Sequence, residues 1–438
     1  MGRRHVLIGG GPATIAAAET IRSADEAADI VIVSADLHGY YSRPGLAYLL
    51  AREVPEKRLF PYAEADFAAL RAARVSGRAA RLDAAAHRVE LEGGRTLEYD
   101  RLLLATGSTA VATRVPGADL DGVVKLDDLG DARAIIRRAA RARHAVVVGG
   151  GITALEIVEG LHAQRVAVDY FMRQDRYWRN VLSERESAAV EHGLRRSGVR
   201  VRPFTELARI VGRGGRVAAV ETGDGETIAC DLVAVAIGVR PRIELAREAG
   251  LNCGRGVLVD DQLRTSVPDV FAAGDIAETV HPASGRRTLE VLWSSAVLKG
   301  RTAGLNMASE PVHAYRPGVP LNITRLAGLK TTIIGTVGSG KDADLEGLSR
   351  GDSQTWSELG EATIVETEQD GARVRLALGG RAIAGAVVMG DQALSFPLQE
   401  LIEAGSDTGD VHADLTAPGA DVARIVRDRW QAWSAARA

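Results

Sequence analysis

The sequence predicts an α/β chain made of two parallel-sheet domains of one design, followed by a smaller α+β domain. Three observations carry that expectation. Apolar strand residues meet a glycine triplet and then an alanine-rich helical stretch at Val6-Leu7-Ile8-Gly9-Gly10-Gly11-Pro12-Ala13-Thr14. The same order returns about 140 residues later, at Ala145-Val146-Val147-Val148-Gly149-Gly150-Gly151-Ile152-Thr153-Ala154. Beyond about Ala308 there is no further turn of this kind, only short strands, turns and a terminal helical pattern. Self-similarity at this spacing is duplication of a domain, not the short period of a solenoid. A length of 438 residues fits two or three domains.

The elements follow in order. Strand His5–Gly9, helix Pro12–Ser23 and strand Ile30–Ser34 read as a βαβ half-unit. An irregular stretch, 38–56, contains Tyr40-Tyr41-Ser42-Arg43-Pro44. A helix is expected over Tyr62–Ala73, then strands near 88–92 and 96–99 flanking Gly93-Gly94, then strand Arg101–Ala105 ending in Thr106-Gly107. Pro116-Gly117 marks a boundary. The pattern restarts at Ala145, with helix Ala154–Gln164 and strand Val166–Met172. Ser183-Glu184-Arg185-Glu186 is a capping-box signature opening a helix to about Ser197. A β-rich run ends in Ala236-Ile237-Gly238, and the stretch 257–277 holds Ala273-Gly274-Asp275. Val422, Ile425, Val426, Trp430 and Trp433 fall at helical spacing near the end. The expected domains are 1–113 and 241–308 together, 114–240 inserted between them, and 309–438 as a C-terminal α+β domain.

Composition narrows the classes. The net charge of −3 leaves no footprint for nucleic acid. Cys230 and Cys253 are the only cysteines and form no CxxC, which excludes a disulfide scaffold and a cysteine-ligated cluster. The nine histidines are scattered, so no metal site is expected. No apolar run reaches the length of a membrane span, and the opening residues run straight into the first strand, so a cytoplasmic protein is expected.

A glycine turn between a strand and a helix brings backbone N–H groups and the helix N-terminus to a pyrophosphate, with no side chain in the way. Two such turns imply two dinucleotides on one chain, and two dinucleotides imply hydride transfer between them. That step needs positioning rather than an acid or base, which fits the lack of a histidine or serine constellation.

Gly9-Gly10-Gly11, Ala105-Thr106-Gly107, Gly149-Gly150-Gly151, Ala236-Ile237-Gly238 and Ala273-Gly274-Asp275 occur in that order. With this set, residues 1 to about 308 resemble the two-dinucleotide-binding-domain flavoproteins of the pyridine nucleotide–disulfide oxidoreductase superfamily. The resemblance implies FAD on the first fingerprint (Gly9, Gly11, Pro12, Ala13, with Thr14 in place of the third glycine). It implies NADPH or NADH on the second (Gly149, Gly151, Ile152, Ala154), with Gly238 at the strand end beside it. Ala105, Thr106, Gly107, Gly274 and Asp275 would complete the flavin site, Asp275 on the ribityl chain. Asp36, 25 residues after Gly11, is either the ribose-binding acid or a loop cap. Ser42 and Arg43 sit where relatives contact the isoalloxazine ring, and a fixed arginine charge there would stabilise the reduced flavin; the alternative for Arg43 is a surface arginine. Glu156 matches a glutamate near the nicotinamide, or is a helix glutamate paired with a base.

The missing thiol selects the branch. Residues 1–229 hold no cysteine, so a redox disulfide beside the flavin is impossible. The similarity is therefore to the reductases of ferredoxins and rubredoxins and to the NADH oxidase-like and nitrite-reductase-like proteins. The implied acceptor is a small electron-carrier protein or a small molecule. Quinone reduction, NADH oxidation and a flavin-binding redox sensor remain alternatives, and the chain is expected to be a monomer or homodimer. In the second unit, Met172 stands 21 residues after Gly151, where an acid would bind the ribose of NADH, and Arg173 follows. That exchange favours the 2′-phosphate of NADPH. Tyr177 and Trp178 either cover the nucleotide or simply pack.

Overall fold

Val6, Leu7 and Ile8 are buried on both faces of a parallel sheet, which is why their strand reads as a continuous apolar run. Strand Arg4–Ile8 is the third of five, in the order Val270–Ala272, Arg101–Leu104, Arg4–Ile8, Asp29–Ser34, Ala72–Ser76. All the pairings are parallel, so the strand ends leading into Gly9, Ala105 and Ala273 share one edge. The computed structural model describes residues 2–282, 285–309, 313–338, 362–369 and 372–437. It divides into two compact units. The first comprises Met1–Val111, Asp127–Arg133 and Val239–Pro317, the second Ala112–Leu126, Ala134–Gly238 and Gly318–Ala438.

In the first unit helix Pro12–Ala24 packs along helix Trp293–Ala308. Gly300 and Gly304, one turn apart on the same face, allow the approach. A Cβ on Gly300 would collide with the Ala13 carbonyl oxygen, and one on Gly304 would lie 2.7 Å from that of Ala17. The helix expected over 62–73 is shorter, Glu64–Leu70, because Arg71 turns left-handed (φ 48°) and residues 72–76 become the fifth strand. Only Val75 of that edge strand is buried, so no alternation marked it in the sequence. The hairpin around Gly93-Gly94 forms, with Ala79–Asp83 added as a third antiparallel strand.

The second unit repeats the design, with parallel strands in the order Arg200–Arg202, Ala167–Phe171, His144–Val148, Leu232–Val235, Val123–Val124. Helix Ile152–Ala163 follows the glycine turn, and helix Glu184–Arg196 opens on the predicted capping box: Ser183 Oγ accepts from the Glu186 N–H, and Glu186 Oε2 from the Ser183 N–H. Its C-terminal part is an antiparallel sheet in the order Leu321–Leu326, Leu329–Gly335, Ile383–Gly390, Ala372–Leu378, Thr363–Gln369. Helices Ser395–Glu403 and Val422–Ala435 close its core, burying Leu398, Leu401, Val422, Ile425 and Val426.

Candidate functional site

The first glycine turn is locked from both sides. The Gly9 N–H donates to the Val33 carbonyl at 2.8 Å, and the Ala105 N–H to that of Ile8 at 2.8 Å. Gly9 has φ 137°, and a Cβ there would collide with the Ala105 carbonyl oxygen. The geometry requires glycine. A Cβ on Gly11 would meet nothing within 4 Å. Gly11 is the N-cap of helix Pro12–Ala24 and no side chain caps that end, so the first-turn N–H groups face the open side of the turn. This is a cradle that fits a pyrophosphate. Pro12 is the first helical residue, Ala13 is buried against the 293–308 helix, and Thr14 fills the third fingerprint position fully buried, its hydroxyl bonded to no described residue.

Around the same edge, Thr106 and Gly107, just beyond Ala105, are held by a residue far away in sequence. Thr106 Oγ1 donates to the Arg242 carbonyl at 2.8 Å, the Arg242 N–H donates to Gly107 at 2.9 Å, and Arg242 Nη1 to Thr106 at 3.2 Å. Arg242 Nη2 then donates at 2.9 Å to the buried carboxylate of Asp127, which also accepts from Thr109 at 2.8 Å. Asp275, just after Gly274 at the end of the outer strand, accepts from Ser108 Oγ at 2.6 Å. Arg242, Asp127 and Ser108 carried no sequence signal of their own.

Asp36 organises its loop. Its Oδ1 accepts from the His38 N–H at 2.9 Å, and its Oδ2 accepts from Tyr41 at 3.0 Å and pairs with Arg43 at 3.5 Å. The loop-cap alternative is therefore realised, which leaves a ribose contact to whatever capacity the carboxylate retains. Arg43 also donates to the Asp127 carbonyl at 2.6 Å and lies over the Tyr41 ring, so it is a fixed residue, not a free surface arginine. Burial pushes the Tyr41 hydroxyl well up, keeping it protonated between Asp36 and the Leu129 N–H. Ser42 Oγ accepts from the Gly45 N–H at 3.2 Å, at the start of helix Gly45–Leu50.

The second turn reproduces the first. The Gly149 N–H donates to Phe171 at 3.1 Å and the Ala236 N–H to Val148 at 2.8 Å. Gly149 has φ 147°, and a Cβ on it would collide with the Ala236 carbonyl oxygen and lie 3.0 Å from Ala154 Cβ. Gly151 caps helix Ile152–Ala163 with no side-chain bond, and a Cβ on Gly150 would meet nothing within 4 Å. Ile152 and Ala154 are buried, Glu156 is half-buried, and Gly238 ends the Ala236-Ile237-Gly238 turn at φ 117°. Met172 is 0% exposed, so its side chain belongs to the core, whereas Arg173 is exposed. Asp175, an acid the spacing argument passed over, is paired with Arg176 at 2.6 Å and Arg179 at 3.3 Å. Tyr177 and Trp178 are both buried and pack.

Burial pushes the Cys230 thiol up to about 12 and raises that of Cys253, so neither is a thiolate at neutral pH. Among the described residues no cluster of three or more His, Cys, Asp or Glu could hold a metal, and no helix is long and apolar enough to cross a membrane.

The family described as pyridine nucleotide-disulphide oxidoreductase matches residues 3–299. A relative from Paraburkholderia xenovorans, the biphenyl dioxygenase system ferredoxin–NAD(+) reductase component, is 37% identical over 356 residues, 80% of this chain and 84% of its own. Rhodocoxin reductase of Rhodococcus erythropolis is 33% identical over 315 residues, 71% of this chain and 73% of its own. Among solved structures, a ferredoxin reductase of Rhodopseudomonas palustris superposes with TM-score 0.85 at 22% identity, covering 97% of this chain and 100% of that one. That likeness bears on the fold.

Proposed function

Because the chain belongs to the pyridine nucleotide-disulphide oxidoreductase family, we propose that its two glycine turns hold one dinucleotide each, FAD on the first unit and NAD(P)H on the second. The protein is an FAD-dependent NAD(P)H oxidoreductase. The observation that supports two dinucleotide sites is the shared geometry of Gly9 with Ala105 and Gly149 with Ala236, each beside an uncapped helix N-terminus. FAD, when bound, accepts a pair of electrons and releases them singly.

The chain's own residues bind and orient. Gly11 and the helix behind it take the FAD pyrophosphate, Asp275, fixed by Ser108, takes a ribityl hydroxyl, and Arg43, fixed by Asp36 and Asp127, supplies positive charge at the ring. Gly151 takes the nicotinamide dinucleotide, Glu156 its carboxamide, and exposed Arg173 a 2′-phosphate, so NADPH is the preferred donor.

With both thiols protonated and no cysteine before residue 230, electrons leave for an external acceptor. The acceptor we favour is a small iron–sulfur carrier of the ferredoxin or rubredoxin kind, supported by relatives named as ferredoxin reductases. Such a cycle belongs to the cytoplasm, where NAD(P)H is available.

The test is anaerobic mixing of the yellow protein with each nucleotide, followed by oxidised ferredoxin. Bleaching within seconds and reoxidation by the carrier are expected, and both persist in Cys230→Ala/Cys253→Ser. A colourless protein that FAD cannot reconstitute, or a flavin that neither nucleotide bleaches, overturns the reading.

A further inference from the structure

The C-terminal strand Ala372–Leu378 buries an arginine in an apolar run, Val374-Arg375-Leu376. Arg375 is 6% exposed, and all three of its nitrogens are engaged. Nε donates to Glu186 Oε1 and Oε2 at 3.1 and 3.2 Å, Nη1 to the Val337 carbonyl at 2.6 Å, and Nη2 to the Val181 carbonyl at 2.5 Å. A leucine there would fill the core without the cost of taking two charges out of water. What the planar guanidinium adds is a fixed direction for each bond.

Two of those partners, Val181 and Glu186, lie on the segment that leads back to the second glycine turn. Glu186 is the acid of the capping box of helix Glu184–Arg196, and Val181 lies two residues before its Ser183. A few residues earlier, the Trp178 N–H donates at 3.0 Å to the carbonyl of Gly150, the middle glycine. Trp178 itself has φ 47°, a left-handed conformation that a bulky residue keeps only when its surroundings impose it. Ser187 Oγ donates to the Tyr177 carbonyl at 2.6 Å, and the Tyr177 N–H to Glu191 at 3.0 Å, tying the segment to the same helix. Two residues from Arg375 and on the same strand face, Arg373 donates to the Arg185 carbonyl at 2.8 Å. At the helix's other end, a Cβ on Gly193 would lie 3.1 Å from both the Cβ and the carbonyl oxygen of Ala327, in the turn after Leu321–Leu326.

We propose that Arg375 is a positioning residue for the pyridine-nucleotide site, holding residues 177–186 so that Trp178 fixes the Gly150 turn. The C-terminal sheet is then part of the nucleotide site's support. This rests on the reading that the second turn holds NAD(P)H.

The test uses the FAD-loaded protein and its variants Arg375→Lys, Arg375→Met, Glu186→Gln and Arg375→Met/Glu186→Met. Flavin reduction by NADPH and NADH is followed by stopped flow, alongside Tm and flavin content. Arg375→Lys, Arg375→Met and Glu186→Gln should raise the nucleotide Kd roughly tenfold, the scale of weakening about one hydrogen bond to the nucleotide. Flavin content and the limiting reduction rate should stay within about threefold of wild type, a binding effect without a chemical one. The double variant removes both buried charges and should regain part of the Tm lost in Arg375→Met, short of wild type because the Ser183 N–H loses Glu186. Its Kd should stay raised because the Val181 carbonyl still lacks its donor. A wild-type Kd in the double variant, or unchanged Kd in Arg375→Lys and Glu186→Gln, overturns the proposal. Wild-type flavin that neither nucleotide reduces overturns the parent reading instead, and the proposal with it.

Discussion

Gly9 lies so close under Ala105 that no side chain fits between its α-carbon and the Ala105 carbonyl. Two residues on, Gly11 faces open space at the same turn. The two glycines therefore fail differently. Gly9→Ala meets both the clash and an unfavourable φ, so we expect poor folding and a large fall in Tm. Gly11→Glu should fold, and it should purify colourless because a charged side chain would occupy the proposed pyrophosphate position. Flavin absorbance per protein, with Tm, separates the two.

The Arg242–Asp127 pair should govern flavin retention. Arg242→Met removes the guanidinium that holds Thr106 and leaves a buried carboxylate short of its partner. The cost is about 2 kcal/mol, that of a lost charged hydrogen bond. We expect FAD to dissociate on dilution while the nucleotide unit stays folded. Fluorescence of released flavin measures this, and full retention would count against the assignment.

Nucleotide choice should follow Arg173. Met172 is in the core, so a glutamate there would test stability before specificity. Arg173 is exposed, and Arg173→Ala removes a candidate phosphate ligand without disturbing the fold. A charge-assisted bond of about 1.5–3 kcal/mol predicts a loss of roughly ten- to a hundredfold in kcat/KM for NADPH, with NADH little changed. Equal or better use of NADH by the wild type would refute the preference.

Acid should weaken the first unit through His5. It is fully buried in the central strand, and neither ring nitrogen is hydrogen-bonded to a described residue. Burial, helped by the nearby charge of Arg3, lowers its pKa from 6.5 to about 4. The unfolded chain therefore takes up a proton that the folded chain refuses. Stability from this group is fully present above pH 6.5 and is lost as pH falls toward about 4, by about 3 kcal/mol in total. His5→Leu should flatten that part of a urea-midpoint profile against pH, and an unchanged slope would show that another group is responsible.

The glycine turns, the capping box at Ser183 and the terminal helix were legible because each depends on neighbours within a few residues. The lock on Thr106 was not, since Arg242 and Asp127 meet it only after folding and no local pattern marks them. Gly300 and Gly304 look like poor helix residues until Ala13 and Ala17 are seen beneath them. Asp36 showed both its possible roles in the sequence, and only the loop partners His38, Tyr41 and Arg43 establish that it serves as a cap. Spacing placed Met172 at the end of its strand but could not say that its side chain turns inward.

Strand Arg101–Leu104 receives its outer neighbour, Val270–Ala272, from the far side of the inserted unit. During synthesis that strand emerges long before its partner, while the parallel sheet spanning Val123 to Val235 already has all five strands. The inserted sheet is thus free to form first, and the earlier one waits with an unpaired apolar edge through Leu102 and Leu103. Such an edge is the part of a nascent chain most prone to pair with another copy. A truncation ending shortly before residue 270 would make that exposure permanent, turning a delay in assembly into aggregation.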